Sequence, residues 1–168
     1  KSVLITGDTG FKGSWLALWL VSLGAKVSGV SIDIPTRPSH YDSLNLKKFI
    51  SHYEADINNL TAIKKIVRLV KPDIIFHLAA QALVSKSYEE PTQTFKTNTF
   101  GSINILECLR EYNNVTSVVM ITSDKIYENV EWEWGYREID RLGGYDPYSA
   151  SKSMAEIAIR AYLKTLFY

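Results

Sequence analysis

Short apolar runs alternate along the chain with longer segments in which apolar residues recur at helical spacing. Five runs predict β-strands over residues 3–5, 26–32, 50–55, 74–80 and 117–122. The segments between and after them predict helices over residues 15–23, 60–70, 95–110 and 148–166. Strands and helices in this alternation favour an α/β fold, a doubly wound parallel sheet with helices on both faces.

Two longer segments show neither periodicity and predict loops. Residues 34–45 contain Pro35, Pro38 and several polar side chains, and residues 128–147 place aromatic side chains in a polar stretch. No repeat, low-complexity segment or linker interrupts the chain, so we expect one domain over residues 1–168.

The composition is that of a globular protein that is neither strongly basic nor strongly acidic. Of the 168 residues, 46% are hydrophobic and 22% charged, and the net charge is +1. This balance provides no electrostatic argument for a nucleic-acid or anionic-membrane partner. No apolar run is long enough to span a bilayer and no signal peptide is visible, so we expect no membrane partner and a cytoplasmic location.

Cysteine and histidine are too sparse for a disulfide or an evident metal centre. Cys108 is the single cysteine, which excludes an internal disulfide and fits a reducing compartment. It lies among apolar neighbours, so we expect it in a helix core. The three histidines are spread along the chain and predict no metal cluster.

Three glycines at three-residue spacing follow the first strand: Gly7, Gly10 and Gly13. A strand, a glycine turn and an apolar helix in this order are typical of the phosphate-binding edge of a Rossmann-type βα unit. The glycines permit a tight turn, a close approach of backbone to pyrophosphate, and close packing of helix on strand. The helix N-terminus adds free N–H groups and a partial positive charge. A flexible turn is the alternative, and the flanking strand and helix favour dinucleotide binding.

Other candidates for the cofactor lie where later strands end. Asp33 closes the second strand, where an acidic side chain can accept hydrogen bonds from the ribose hydroxyls and repel a 2′-phosphate. A turn residue ahead of Pro35 is the alternative, and the nearby Arg37 leaves NADP open. The small residues Ala79 and Ala80 would let the backbone pass close to a cofactor, whereas His77 on the same strand is expected to be packed.

Tyr148 and Lys152 form a YxxxK motif in the last predicted helix. Residues four apart share one helix face. An ammonium group beside a phenol favours the ionised phenol, as does a bound cationic nicotinamide. Such a tyrosinate can take a proton from an alcohol while a hydride leaves the same carbon. A helix surface pair is the alternative, and the upstream glycine turn favours catalysis.

These motifs together resemble the extended short-chain dehydrogenase/reductase family. The stretch TGDTGFKG is similar to its TGxxGFxG fingerprint, and YSASK is similar to its YxxxK motif. The resemblance implies NAD as cofactor and Asp56 and Ile57 as an adenine-contacting pair. The cofactor-binding residues that it implies are Gly7, Thr9, Gly10, Phe11, Lys12, Gly13, Asp33, Asp56, Ile57, Ala79, Ala80, Asn98, Tyr148 and Lys152.

Within that family the sequence resembles the sugar-nucleotide dehydratases, and among them the CDP-glucose 4,6-dehydratases. The similar stretches are PDIIFHLAAQALV, TSDKIYEN and GYREIDRLGGYDPYSASK. Family members carry a Ser or Thr at the position of Ser123, and the dehydratases place an acid and a base next to it. Asp124 and Lys125 occupy those positions here, whereas the dTDP-glucose enzymes have Asp-Glu. A turn with a solvated salt pair is the alternative.

The resemblance implies a hydro-lyase reaction that converts CDP-glucose to CDP-4-keto-6-deoxyglucose, for deoxysugar or O-antigen-type polysaccharide biosynthesis. Tyr148 would take the carbon-4 hydroxyl proton as hydride passes to NAD, and Ser123 would hydrogen-bond that hydroxyl. Lys125 would remove the carbon-5 proton while Asp124 protonates the departing carbon-6 hydroxyl. Hydride would then return to carbon 6.

Two other functions remain open from the sequence. A sugar-nucleotide epimerase or reductase of the extended family shares the glycine turn and YxxxK but needs no acid–base pair at 124 and 125. A non-enzymatic dinucleotide-binding module is the second, and the intact pair of Tyr148 and Lys152 argues against it.

The length of the chain and its last predicted helix indicate how much of a longer protein it represents and how subunits could associate. Members of the resembled family continue for as much chain again, so we expect an N-terminal part that ends before the substrate lobe. The last predicted helix is apolar on more than one side, which favours burial in a larger domain or a subunit contact. Since the family pairs two helices per subunit, the resemblance implies a homodimer through the helices around 95–110 and 148–166.

Overall fold

A computed structural model describes residues 1–167, and its centre is a parallel five-stranded sheet. The strands are β1 (Ser2–Thr6), β2 (Lys26–Ser31), β3 (Ser51–Glu54), β4 (Ile74–His77) and β5 (Ser117–Met120). Their order in the sheet is β3-β2-β1-β4-β5, and every adjacent pair is parallel. The first strand is therefore central, and the predicted doubly wound Rossmann-type fold is confirmed.

Helices connect and follow these strands. The α-helices are α1 (Phe11–Ser22), α2 (His40–Ser43), α3 (Leu60–Val70), α4 (Val84–Glu89), α5 (Pro91–Phe95), α6 (Gly101–Glu111) and α7 (Pro147–Thr165). Two short 3-10 helices cover Leu46–Lys48 and Asp124–Ile126, and a π-helix covers Lys96–Phe100.

The sheet separates two apolar layers. Because successive side chains of a strand point to opposite faces, Leu4 joins one layer and its neighbours Val3 and Ile5 join the other. The first layer includes buried residues of α3 and α6, and the second includes Ala17 of α1 and the fully buried Tyr41 of α2. Burial of β1 on both faces is what a central parallel strand requires.

The residues predicted to be packed are packed. Cys108 is 1% exposed within the first layer, and burial is the main reason that its pKa rises to about 12. His77 is buried at the end of β4, and its Nδ1 lies 2.7 Å from Oγ1 of Thr6.

In the part of the chain described, no group of three or more potential ligands among His, Cys, Asp and Glu could hold a metal ion. None of the described helices has the length and apolar content needed to cross a bilayer.

Several predicted boundaries differ from the structure. The loop over 34–45 contains α2, whose first turn is capped by Ser39, the Oγ of which accepts the Asp42 N–H at 3.0 Å. The first helix begins at Phe11 rather than residue 15, because Gly10 already serves as its N-cap. β4 ends at His77, three residues before the predicted end, and the helix predicted from 95 extends over residues 91–111 as three consecutive segments, α-helical, π-helical and α-helical.

The chain forms two compact units. The first contains Lys1–Ala79 and Asn104–Ile121, and therefore the whole sheet and the glycine turn. The second contains Ala80–Ile103 and the residues from Thr122 onward, and therefore the YxxxK motif. The predicted catalytic residues all belong to the second unit, while the predicted cofactor residues are divided between the two.

Candidate functional site

The turn between β1 and α1 requires glycine at two of its three glycine positions. Gly7 has φ +79°, and a Cβ there would lie 2.8 Å from the backbone N of Ala79. A Cβ on Gly13 would lie 2.0 Å from the carbonyl oxygen of Gly7, so only a glycine lets α1 start this close to the turn. At Gly10 the nearest atom would be 3.3 Å away, a contact that a small shift can relieve.

The same turn leaves backbone donors for an anion. The Gly10 N–H donates to Gly7 at 3.1 Å, and the first bond of α1 runs from the Ser14 N–H to Gly10 at 2.9 Å. The amides of residues 11–13 precede that bond and have no acceptor within the helix. No acidic residue occupies the first turn, so the positive end of the helix dipole is not compensated there. This donor set suits a pyrophosphate.

A buried carboxylate supports this turn from the sheet side. Asp8 is fully buried, its Oδ1 accepts the Ser31 hydroxyl at 2.7 Å, and its Oδ2 lies 2.7 Å from Nδ1 of His52. A Cβ on Gly29 would lie 2.1 Å from Asp8 Oδ2, so β2 has a glycine where the carboxylate rests. This cluster is absent from the residues predicted from the sequence. Its signals there are a carboxylate inside the predicted phosphate-binding turn and a glycine within a strand.

Thr9 ties the turn to the end of β2. Its N–H donates to Ser31 Oγ at 3.4 Å, and its hydroxyl donates to the Asp33 carbonyl at 2.6 Å. Asp33 is exposed two residues beyond the strand end, as a ribose-binding carboxylate would need to be. Its cofactor role stays a prediction, as do those of Phe11 and Lys12, both exposed in the first turn of α1.

The predicted adenine pair lies in the turn that follows β3. Asp56 is exposed, and its Oδ1 accepts the Asn58 N–H at 2.8 Å. Ile57 is 5% exposed, and its carbonyl accepts the Asn104 side-chain amide at 2.9 Å. The structure thus explains both residues as parts of the turn into α3, and their adenine contacts stay a prediction.

The backbone after β4 is held against the end of β1. Oγ1 of Thr6 accepts the Ala79 N–H at 3.1 Å and also contacts His77. The Leu78 N–H donates to the Thr6 carbonyl at 3.0 Å. The backbone of Ala79 therefore passes directly beside Gly7. The predicted approach of Ala79 and Ala80 to a cofactor stays a prediction.

In the second unit, α7 begins with an engaged N-cap. The Asp146 carboxylate accepts the Ser149 N–H at 2.9 Å and the Ser149 hydroxyl at 2.6 Å, and Pro147 occupies the first helical position. Burial raises the pKa of Asp146, but the hydrogen bonds from Ser149 and Tyr148 and the nearby charge of Lys125 outweigh burial and lower it overall. This cap sets the direction of the first two turns of α7, which carry the YxxxK motif.

Polar bonds from the π-helix fix α7 beside the predicted catalytic lysine. Asn98 is 1% exposed, and its side-chain amide donates to Ser151 Oγ at 2.9 Å. Thr99 donates to the Ser151 carbonyl at 3.0 Å. The next residue, Lys152, is only 6% exposed, while Tyr148 one turn earlier is partly exposed. The expected i, i+4 arrangement is thus present, on a helix whose buried side is held in place.

The segment with the predicted acid and base is bonded to the same helix. The Ser153 hydroxyl lies 2.8 Å from the Ile126 carbonyl, so the 3-10 helix Asp124–Ile126 is attached to α7. Ser123 caps it: its Oγ accepts the Lys125 N–H at 3.2 Å and donates to Asp124 Oδ1 at 3.0 Å. Asp124 and Lys125 are both exposed. A neutral lysine base requires a site that excludes water, and the described residues do not exclude water from Lys125.

Fold and local geometry together define a Rossmann-type α/β protein with a glycine turn between β1 and α1 and a Tyr–Lys pair on one helix. The family model described as GDP-mannose 4,6 dehydratase matches residues 4–166, and the chain belongs to this family. It is 46% identical over 167 residues to a CDP-glucose 4,6-dehydratase of Salmonella typhimurium, a match that covers 99% of this chain and 46% of that protein. It is 30% identical to a CDP-paratose 2-epimerase of Salmonella typhi, with 92% of this chain and 50% of that protein covered.

Solved structures with the same fold include two UDP-glucose 4-epimerases. The Thermotoga maritima enzyme, determined with UDP-glucose, and the Thermus thermophilus enzyme, determined with NAD, each match with a TM-score of 0.85 and 28% identity. Each match covers 97% of this chain and 51% of the solved chain. The chain thus spans about half the length of the proteins that it matches.

Proposed function

We propose that this chain is the dinucleotide-binding part of an NAD-dependent CDP-glucose 4,6-dehydratase, a hydro-lyase. The observation that carries the proposal is the attachment of the Asp124–Lys125 segment to α7, the helix of Tyr148 and Lys152. The proposed acid and base and the Tyr148–Lys152 pair belong to one compact unit. The 46% identity to a CDP-glucose 4,6-dehydratase supports the substrate.

The glycine turn fits NAD. The amides of residues 11–13 would bind its pyrophosphate, and the exposed Asp33 carboxylate would bind the ribose hydroxyls and disfavour the 2′-phosphate of NADP. Bound NAD would supply the oxidising power, as the acceptor of a hydride from carbon 4 of the sugar and its donor to carbon 6. We propose that the remaining residues that the family resemblance assigns, Asp56, Ile57, Ala79, Ala80 and Asn98, also contact it.

The protein residues would move the protons of the reaction. Tyr148 takes the proton of the carbon-4 hydroxyl, assisted by the Lys152 charge and by a hydrogen bond from the hydroxyl to Ser123. The resulting ketone acidifies the carbon-5 hydrogen, which Lys125 removes. Asp124 gives its proton to the carbon-6 hydroxyl, which leaves as water, so the acid and the base have different tasks on neighbouring carbons. As hydride returns to carbon 6, the protonated Lys125 gives its proton back to carbon 5. Tyr148 releases its proton to solvent and Asp124 takes one up, which restores the starting state.

The direct test is product analysis with a full-length enzyme that contains this chain. With CDP-glucose and NAD we expect a 4-keto-6-deoxy product, loss of one water, and no net NADH. A carbon-4 epimer without loss of water would replace the dehydratase by an epimerase, and NADH that accumulates with the substrate would indicate a dehydrogenase. Binding of NAD without any conversion would support a non-enzymatic binding module.

Assembly and location belong to the same proposal. Apolar side chains on the π-helix and α7 are exposed, with Phe100 at 56%, Ile157 at 55% and Met154 at 44%. An apolar surface of this kind fits the helix pairing of a homodimer. We propose a cytoplasmic enzyme, where nucleotide sugars and NAD are available, and light scattering of the purified enzyme would test the dimer.

A further inference from the structure

Asp8 is an unusual residue for a turn that is proposed to bind a pyrophosphate. Its carboxylate is fully buried and bridges three segments: the turn itself, Ser31 on β2 and His52 on β3. We propose that Asp8 and His52 form a positioning pair that holds the glycine turn in its binding conformation. This inference rests on the proposed NAD function and extends it to residues that would not touch the cofactor.

The place of the Asp8 carboxylate is built into the sheet. A side chain at position 29 would collide with it, because a Cβ on Gly29 would lie 2.1 Å from Oδ2 and 2.2 Å from Cγ. β2 and β3 pair in parallel with Gly29 opposite His52, which aligns the histidine with the carboxylate. The centroid of the Tyr41 ring lies 5.7 Å from that of the His52 ring.

Hydrogen-bond chemistry assigns the direction of each bond. With the Asp8 carboxylate as the acceptor, Nδ1 of His52 carries the hydrogen that joins the two side chains. A serine hydroxyl has one hydrogen, and Ser31 gives it to Asp8, which leaves its oxygen free to accept the Thr9 N–H. A relay therefore runs from His52 through Asp8 and Ser31 to the turn backbone.

The relay has an electrostatic role as well. An uncompensated carboxylate within the turn would repel the pyrophosphate, whereas donors from Ser31 and His52 hold its charge towards the strands. Burial raises the pKa of Tyr41 to about 12, with further contributions from the charges of Asp8 and Asp42, so its phenol remains protonated beside the carboxylate. The His52 side chain is 25% exposed and can be replaced with little change to the core.

Substitutions of His52 test the pair. His52→Ala removes the donor, and we expect NAD to bind about tenfold more weakly, since a hydrogen bond to a charged group has this magnitude. His52→Asn carries an amide N–H at the position of Nδ1 and should retain the parental affinity. His52→Gln places its amide one bond further out and should not. Ser51→Ala, at the exposed neighbour on the same strand, is the matched control.

A comparison of two ligands distinguishes positioning of the turn from a general loss of stability. Dissociation constants for NAD and for adenosine, which lacks the pyrophosphate, should be measured on folded protein in a full-length enzyme that contains this chain. His52→Ala should weaken the binding of NAD and leave the dissociation constant for adenosine unchanged. When Asp8→Ala is already present, adding His52→Ala should cause no further loss of NAD affinity. If Asp8→Ala does not fold, the His52 variants alone test the proposal.

The outcomes are distinct. Equal weakening of both ligands, or a lower melting temperature with unchanged NAD affinity, would overturn the pair and leave the proposed function intact. Failure of His52→Asn to retain affinity would also overturn it. If the parent enzyme binds neither NAD nor NADP, the proposed function fails, and this inference fails with it before any variant is made.

Discussion

Gly13→Ala should both destabilise the protein and weaken dinucleotide binding. The added Cβ would lie 2.0 Å from the Gly7 oxygen, 2.8 Å from the Gly7 carbonyl carbon and 2.9 Å from the Asp8 Cα. These are backbone atoms of the turn, so α1 or the turn must move. Overpacking of this kind costs about 3 kcal/mol at the upper end of its usual range. The better helix propensity of alanine offsets about 1 kcal/mol, which leaves a net loss of about 2 kcal/mol.

Gly10→Ala provides a matched control in the same turn. Its Cβ would approach one atom at 3.3 Å, and φ at this position is −71°, which alanine adopts freely. The worse N-cap should cost less than about 1 kcal/mol. Urea unfolding and NAD titration of both variants provide the comparison. Equal stability and equal NAD affinity of the two variants would refute the argument that α1 packs against the Gly7 backbone at Gly13 and leaves no room for a Cβ there.

Four further predictions follow from the site. Tyr148→Phe should lower turnover by about 10²–10⁴-fold and leave NAD binding largely intact; near-normal turnover would mean that YxxxK is only a helix surface pair. Lys125→Ala should abolish carbon-5 exchange with deuterated solvent while NADH still forms transiently, and parental exchange would exclude Lys125 as the base. NAD should bind more tightly than NADP because of Asp33, and Asp33→Asn should narrow the difference in titrations with both cofactors. Asp146→Ala should lower the unfolding free energy by about 1 kcal/mol at neutral pH. Because the folded pKa of Asp146 is lowered, that loss should shrink as pH falls through the folded value, and an equal loss at all pH values would contradict it.

The sequence alone determined the features that depend on neighbouring residues. The order of β1, glycine turn and α1 follows from an apolar run, glycine spacing and a second apolar segment within residues 2–23. The Tyr148–Lys152 pair follows from the helix period, and the parallel sheet from the alternation of strands and helices. These features can be predicted from the sequence because local sterics and periodicity produce them.

Only the tertiary structure decided which distant residues meet. The His52 and Asp8 side chains join across 44 positions, and Asn98 and Ser151 across 53. Neither pair leaves a local pattern, because its formation depends on strand order, on register and on which side of the sheet or helix each residue occupies. The short helix α2 and the early end of β4 were missed for the same reason: burial of Tyr41 and the bonds from Thr6 outweigh local propensity there. The sequence therefore identified the glycine turn, and the tertiary contacts determined what holds it in place.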